Sequence, residues 1–294
     1  MPELSSTSKK LLCNEVKCRW VIGPHDPTQC NANQICFYEQ MYGAGNTSGL
    51  LLSETLRFPE GDVVDVAVGC SILSSGVPEG IFDDNKTVSS ELLLYRDSSN
   101  SGTGDGGIIS YTKFRNNPEL QGFEQFEEYY YLNLRKISVG GNRVKIPHRV
   151  LVGGADGNSV TIIDSGSTFT TMDNPIYDLV EQEFVIQMSK GNCNRATYAE
   201  SPEGFRLCYA AIGGKPPVFP ELMFHFKGGA KLSLPMADYF SQVEPGVACM
   251  MIFPSGLNVS IGPSIIIGNY QQQDIYVEYD LENGRFGFEK KKCN

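Results

Sequence analysis

Hydrophobic positions along this chain recur mostly with a period of two. Ile275, Val277, Tyr279 and Leu281 alternate with Tyr276, Glu278 and Asp280, and Asn283-Gly284 then predicts a type I′ turn into Arg285-Phe286-Gly287-Phe288. Successive strand side chains face opposite sides of a sheet, so this pattern predicts a hairpin with one buried face. Tyr130, Leu132, Leu134 and Ile137 to Val139 predict further strand, leading to a turn at Gly140-Gly141-Asn142. One stretch has helical spacing. Ile176, Val180, Phe184 and Met188 share a face, Asn174-Pro175 offers an N-cap with proline at the first helical position, and Gly191 is a stop. The expected fold class is mainly β.

Length adds a division to this picture. The 294 residues are about twice the usual ~150 per domain, so two lobes are expected. Ser98 to Gly107 reads SSNSGTGDGG, all small or polar, which suits a flexible connection. The expected organisation is therefore a first lobe over 1–97, a linker over 98–110 and a second lobe over 111–294. The linker contains G-x-G-x-x-G at Gly102, Gly104 and Gly107, but Ile108-Ile109-Ser110-Tyr111 after it reads as strand. A dinucleotide site needs a helix there to present backbone N–H groups to a pyrophosphate, so the match is taken as linker composition.

Charge and chemistry remove several function classes. The formal net charge is -10, and the one short basic run is Lys290 to Lys292, so nucleic acid is not an expected partner. No stretch of eighteen apolar residues predicts a membrane span, and the opening MPELSSTSKK has no apolar core of a signal peptide. Of the nine cysteines, Cys13, Cys18, Cys30 and Cys36 crowd the start, a density that predicts disulfides and an oxidising compartment. No C-x2-C pair supports zinc. Sequons at Asn46, Asn85 and Asn258 are compatible with secretion, and weak support for it. His25, His148 and His225 stand apart without a ligand pattern, and neither G-x-S-x-G nor H-E-x-x-H occurs. No metal and no cofactor are expected.

One segment carries candidate chemistry, Thr161-Ile162-Ile163-Asp164-Ser165-Gly166-Ser167-Thr168-Phe169-Thr170. An apolar, β-branched strand delivers an acid into a glycine turn flanked by hydroxyls. Such a turn can hold a carboxylate among donors, although an ordinary Asx-type turn would have the same sequence. At this point the chain resembles the pepsin-like aspartic proteases, in particular the plant nepenthesin-like group. Ile162 to Ser167 resembles the second catalytic loop, and Tyr42-Gly43-Ala44-Gly45-Asn46-Thr47-Ser48-Gly49 resembles the flap hairpin. Glu54-Thr55-Leu56, Val68-Gly69-Cys70 and Tyr129 to Gly141 match further family segments. Ile265-Ile266-Ile267-Gly268-Asn269-Tyr270-Gln271-Gln272-Gln273 resembles the hydrophobic-hydrophobic-glycine strand beneath the active site.

The resemblance implies a pepsin-like bilobal fold and acid-pH hydrolysis of polypeptides by two aspartates sharing a proton and a water. It makes Asp164 the second-lobe aspartate. Ser165 would make the cross-lobe hydroxyl contact, and Ser167 would donate to the outer oxygen of Asp164. Gly166 would provide the turn, and Tyr42 would close over substrate from the flap. It also implies a Cys208–Cys249 disulfide, a monomer and a secreted or vacuolar setting. The pattern departs from the family in two respects. Asp164 is the only Asp followed by Ser or Thr and then Gly, and only residues 71–89 separate Cys70 from Ser90, where the family carries first-lobe inner strands. The expectation is an incomplete N-terminal lobe, a near-complete C-terminal lobe, Cys293 without its family partner, and little peptidase activity from this chain alone. The alternative is a non-catalytic pepsin-like protein that binds or inhibits other enzymes.

Overall fold

A computed structural model describes residues 5–22, 30–31, 33–42, 45–57, 63–75, 108–117, 129–152, 160–191, 193–201, 204–255 and 262–291. The chain divides into two compact units, Met1–Asp84 and Asn85–Asn294. Ser98–Gly107, Asn85, Asn258 and Cys293 lie outside the described residues.

In the first unit the long strand Gly45–Arg57 pairs along its length with Val63–Ser75. Its other edge takes Phe37–Tyr42 at one end and Lys9–Lys10 at the other. A short helix, α1 (Val16–Ile22), lies beside them. Disulfides join Cys13 to Cys30 and Cys18 to Cys36. The buried cluster is small: Leu11, Cys18, Cys36 and Leu51, with Tyr38 and Ala67 against it. Ile72 and Leu73, on Val63–Ser75, are 68% and 62% exposed. Two disulfides suit a unit whose apolar core is this limited, because cross-links remove entropy from the unfolded chain.

The second unit is built on a mixed five-stranded sheet. Its order is Ile252–Pro254, Thr170–Met172, Pro263–Ile267, Val160–Ile163, Tyr130–Leu132. Val160–Ile163 runs parallel to Pro263–Ile267 and is buried along its whole length, as its β-branched residues require. A second sheet has the order Lys231–Ser233, Leu222–Phe226, Leu134–Val139, Asn142–Arg143. A third places Cys208 directly opposite Cys249, and the two form a disulfide. The hairpin Ile275–Asp280 and Arg285–Lys290 adds Ser110–Lys113 along its second strand. Helices α2 (His148–Val152) and α3 (Asn174–Met188) complete the unit. α3 buries Ile176, Tyr177, Val180, Phe184 and Met188, so the helical face expected from the sequence is the one that enters the core.

Three local expectations are corrected. The N-cap of α3 is Asp173, whose carbonyl accepts from Ile176 and Tyr177, so Asn174 and Pro175 are already helical. The 275–290 hairpin does not close with a two-residue I′ turn. Asp280 pairs with Arg285 across four residues, and only Gly284 has positive φ. The Asp280 carboxylate accepts from the Asn283 amide and side chain and from Arg285, which favours the wider turn. Leu281, expected on the buried face, is 64% exposed because the strand has ended at Asp280. The I′ geometry occurs instead at Gly140-Gly141, both at positive φ, between the paired Val139 and Asn142. Finally, α1 and α2 are helices too short to leave a periodic pattern.

Candidate active site

Val160–Ile163 is held between Tyr130–Leu132 and Pro263–Ile267, which fixes where its last residue emerges. The Asp164 amide continues the ladder by donating to Ile267 O at 3.0 Å. The chain then turns sharply. Gly166 N–H donates to Asp164 Oδ1 at 2.9 Å, and Ser167 Oγ donates to Oδ2 at 2.7 Å. Both carboxylate oxygens are therefore engaged and the plane of the group is set. Asp164 and Ser167 are half-buried, while Ser165 and Gly166 are exposed. The Asx-type turn and the held carboxylate are one structure here.

A second segment passes beneath this loop. Asn269 N–H donates to Ser167 O at 2.7 Å and Tyr270 N–H to Thr168 O at 2.8 Å. Gly268 N–H donates to Thr170 Oγ1 at 3.1 Å. The approach is close enough to require glycine: a Cβ on Gly268 would lie 2.4 Å from the Phe169 carbonyl carbon and 2.9 Å from Ser167 O. Gln271 then locks the layer. Its Oε1 accepts from Thr170 N–H at 2.7 Å, and its Nε2 donates to Asp238 O at 2.6 Å and Met251 O at 3.0 Å. Gln271 and Thr170 are both fully buried.

The family resemblance covers Ile265 to Gln273 as a segment, within which neither Gln271 nor, in the aspartate loop, Thr170 stands out. The available signal was polar: a hydroxyl and an amide amid an otherwise apolar layer have to satisfy something. Tyr279 sits within electrostatic reach of Asp164. Burial pushes its phenol up to about 12, helped by Tyr130 and by the Asp164 charge. Tyr130 and Tyr279 pack with ring centroids 4.7 Å apart.

Tyr42 ends the strand Phe37–Tyr42, opposite Gly45, in the first unit. Asn46 follows, paired with Met41 on one side and Ser75 on the other. Among the described residues no group of three or more His, Cys, Asp or Glu side chains could hold a metal, and no helix is long and apolar enough to cross a membrane.

These elements make a mainly β, pepsin-like fold around one aspartate loop. The family model described as Xylanase inhibitor C-terminal matches residues 129–290. Aspartic proteinase nepenthesin-2 of Nepenthes gracilis is 30% identical over 311 residues, covering 99% of this chain and 68% of the relative. Nepenthesin-1 of the same plant is 29% identical over 312 residues with the same coverage. The solved structure of edgp superposes with a TM-score of 0.65 at 18% identity, over 98% of this chain and 83% of that one. The chain belongs to the pepsin-like aspartic protease family, in its nepenthesin-like plant branch.

Proposed function

We propose that Asp164 is one carboxylate of a peptide-hydrolysing pair, and that residues 1–294 supply only this half of it. The observation that supports the reading is the fixed Asp164 carboxylate, with Gly166 N–H on one oxygen and Ser167 Oγ on the other. In a complete pair the ionised carboxylate takes a proton from the bound water, whose oxygen attacks the scissile carbonyl. The protonated partner gives its proton to the carbonyl oxygen, and proton transfer to the amine completes cleavage. One carboxylate cannot be general base and general acid at once. Asp164 is the one Asp in a D-S/T-G motif, so residues 1–294 alone are expected to lose on the order of 10⁴-fold or more in rate.

The substrate class is an unfolded polypeptide, the setting secreted or vacuolar, and the working unit a monomer. Ser165 is assigned a hydroxyl contact to the partner loop, and Tyr42 a place in the flap. The expected division remains 1–97, a linker over 98–110, and 111–294. The test is the purified chain on an unfolded protein at about pH 3 to 6, where such pairs work. The expected result is no cleavage, unchanged by pepstatin or by Asp164→Asn. Cleavage that pepstatin blocks and Asp164→Asn abolishes would overturn the one-carboxylate reading.

A second reading is a non-catalytic binding protein. The match over residues 129–290 to a family described by xylanase inhibition favours it. Retained tight binding of a folded protein partner by Asp164→Asn, with no proteolysis by either form, would select this reading.

A further inference from the structure

The second sheet contains an irregularity with a chemical result. Leu222–Phe226 pairs with Leu134–Val139 so that His225 faces Lys136 but Phe226 faces Leu134, leaving Arg135 as an extra residue. Strict alternation would send Arg135 and Lys136 to opposite faces. The bulge cancels that alternation: Leu134 and Ile137 are both buried, and Arg135 and Lys136 between them are both half-exposed. On the far side of His225 its opposite residue is Lys231. Lys136, His225 and Lys231 thus stand directly across three adjacent strands. Two ammonium groups therefore flank one imidazole, a local positive field that an anion would relieve.

Arg143, opposite Ser138, and His148, at the start of α2, complete the rim of a groove of about 400 Å³ with Phe226 and Ala230 in its wall. Ser138 Oγ and His225 Nε2 share a hydrogen bond at 2.7 Å that orients the imidazole. Residues 129–152 and 222–234 contain no Asp or Glu, in a chain of net charge -10. The nearby groups that modify this field are Glu221, whose carboxylate accepts from Ser233 Oγ, and Lys290, which donates to the same hydroxyl at 3.3 Å. Burial, then Lys136 and Lys231, hold the His225 imidazole below the usual histidine range, and Glu221 opposes them.

We propose that this groove binds a compact tetrahedral oxyanion, a phosphate or sulfate group, either free or as the ester of a small ligand. The guanidinium fork of Arg135 and the Lys136 ammonium suit such oxygens. The positive field is local. A long polyanion would run onto a surface that is negative as a whole, so a compact ligand fits better. Because the anion sits beside His225, protonation of the ring and binding reinforce each other.

The experiment follows the imidazole resonances of the full chain by NMR as pH is varied. One sample contains inorganic sulfate, doubly charged throughout, and the other sodium chloride at the same ionic strength. Sulfate is expected to move the His225 midpoint up by about half a pH unit or more relative to chloride, with His225→Gln and His148→Gln assigning the signals. Arg135→Gln/Lys136→Gln should weaken sulfate binding about tenfold. Lys231→Gln, at an exposed position where substitution disturbs the fold least, should act in the same direction. Inorganic phosphate and phenyl phosphate, compared by calorimetry, separate the two sources. Tighter phenyl phosphate marks an ester-borne group, and equal affinity marks the free ion. A His225 midpoint that responds equally to chloride and sulfate, or variants that bind sulfate as tightly as the wild type, would overturn the proposal.

Discussion

At the scale of single residues the site depends on contacts with no slack. Gly268 passes so close to Phe169 and Ser167 backbone that a methyl group there has no space, and these backbone atoms cannot swing aside as a side chain would. Gly268→Ala should cost about 2–3 kcal/mol, read as a lowered urea midpoint, and should displace the Asp164 loop. Asp238 makes a different prediction. Its side chain is buried, Oδ2 has no hydrogen-bond partner among the described residues, and burial followed by Asp274 raises its carboxyl to about 7 against the pull of Lys290. The folded value lies above the unfolded 3.8, so the folded state keeps the proton longer. Stability from this group is therefore fully present below about pH 4 and is lost as pH rises toward about 7. Urea unfolding across that range should show a steeper decline for the wild type than for Asp238→Asn. The variant should be more stable by on the order of 2 kcal/mol at neutral pH and no better in acid. Parallel pH profiles would show that Asp238 is not the group responsible.

Among elements, Gln271 joins three segments by hydrogen bonds to Thr170, Asp238 and Met251. Gln271→Leu should cost about 2–4 kcal/mol, because it strands a buried amide and two carbonyls. Chemical denaturation measures this directly. The Cys208–Cys249 disulfide closes a separation of 41 residues between directly opposed strands. Its removal by Cys208→Ala/Cys249→Ala should cost about 3–4 kcal/mol and lower the melting temperature. What the sequence disclosed at this scale follows from periodicity. The α3 face and the strands around Ile163 and Ile267 announce themselves because burial repeats along a regular element. The turn at 281–284 does not, because Asn283-Gly284 carries a I′ signal that the Asp280 side chain overrides from outside the dipeptide. The bulge at Arg135 is equally silent, since it exists only in the pairing with Leu222–Phe226. Thr170 and Gln271 do not stand out in the sequence because the bond that joins them spans 101 residues.

For the whole molecule, charge is unevenly distributed. A chain of net charge -10 concentrates cations on one sheet face, which linear composition conceals because the residues come from separate strands. The aspartate loop was legible as a motif, and its family resemblance named the layer beneath it. The geometry adds how that layer holds the carboxylate. The central claim is that Asp164 is a competent catalytic half that lacks its counterpart within residues 1–294. The most direct measurement fuses a nepenthesin-type first lobe bearing D-T-G ahead of the second unit, and follows cleavage of an unfolded protein at about pH 3 to 6. The account predicts that the fusion cleaves, that pepstatin blocks it, and that Asp164→Asn in the fusion reduces the rate by about 10⁴-fold or more. A folded fusion that stays inert, or one that cleaves equally well with Asp164→Asn, would contradict it.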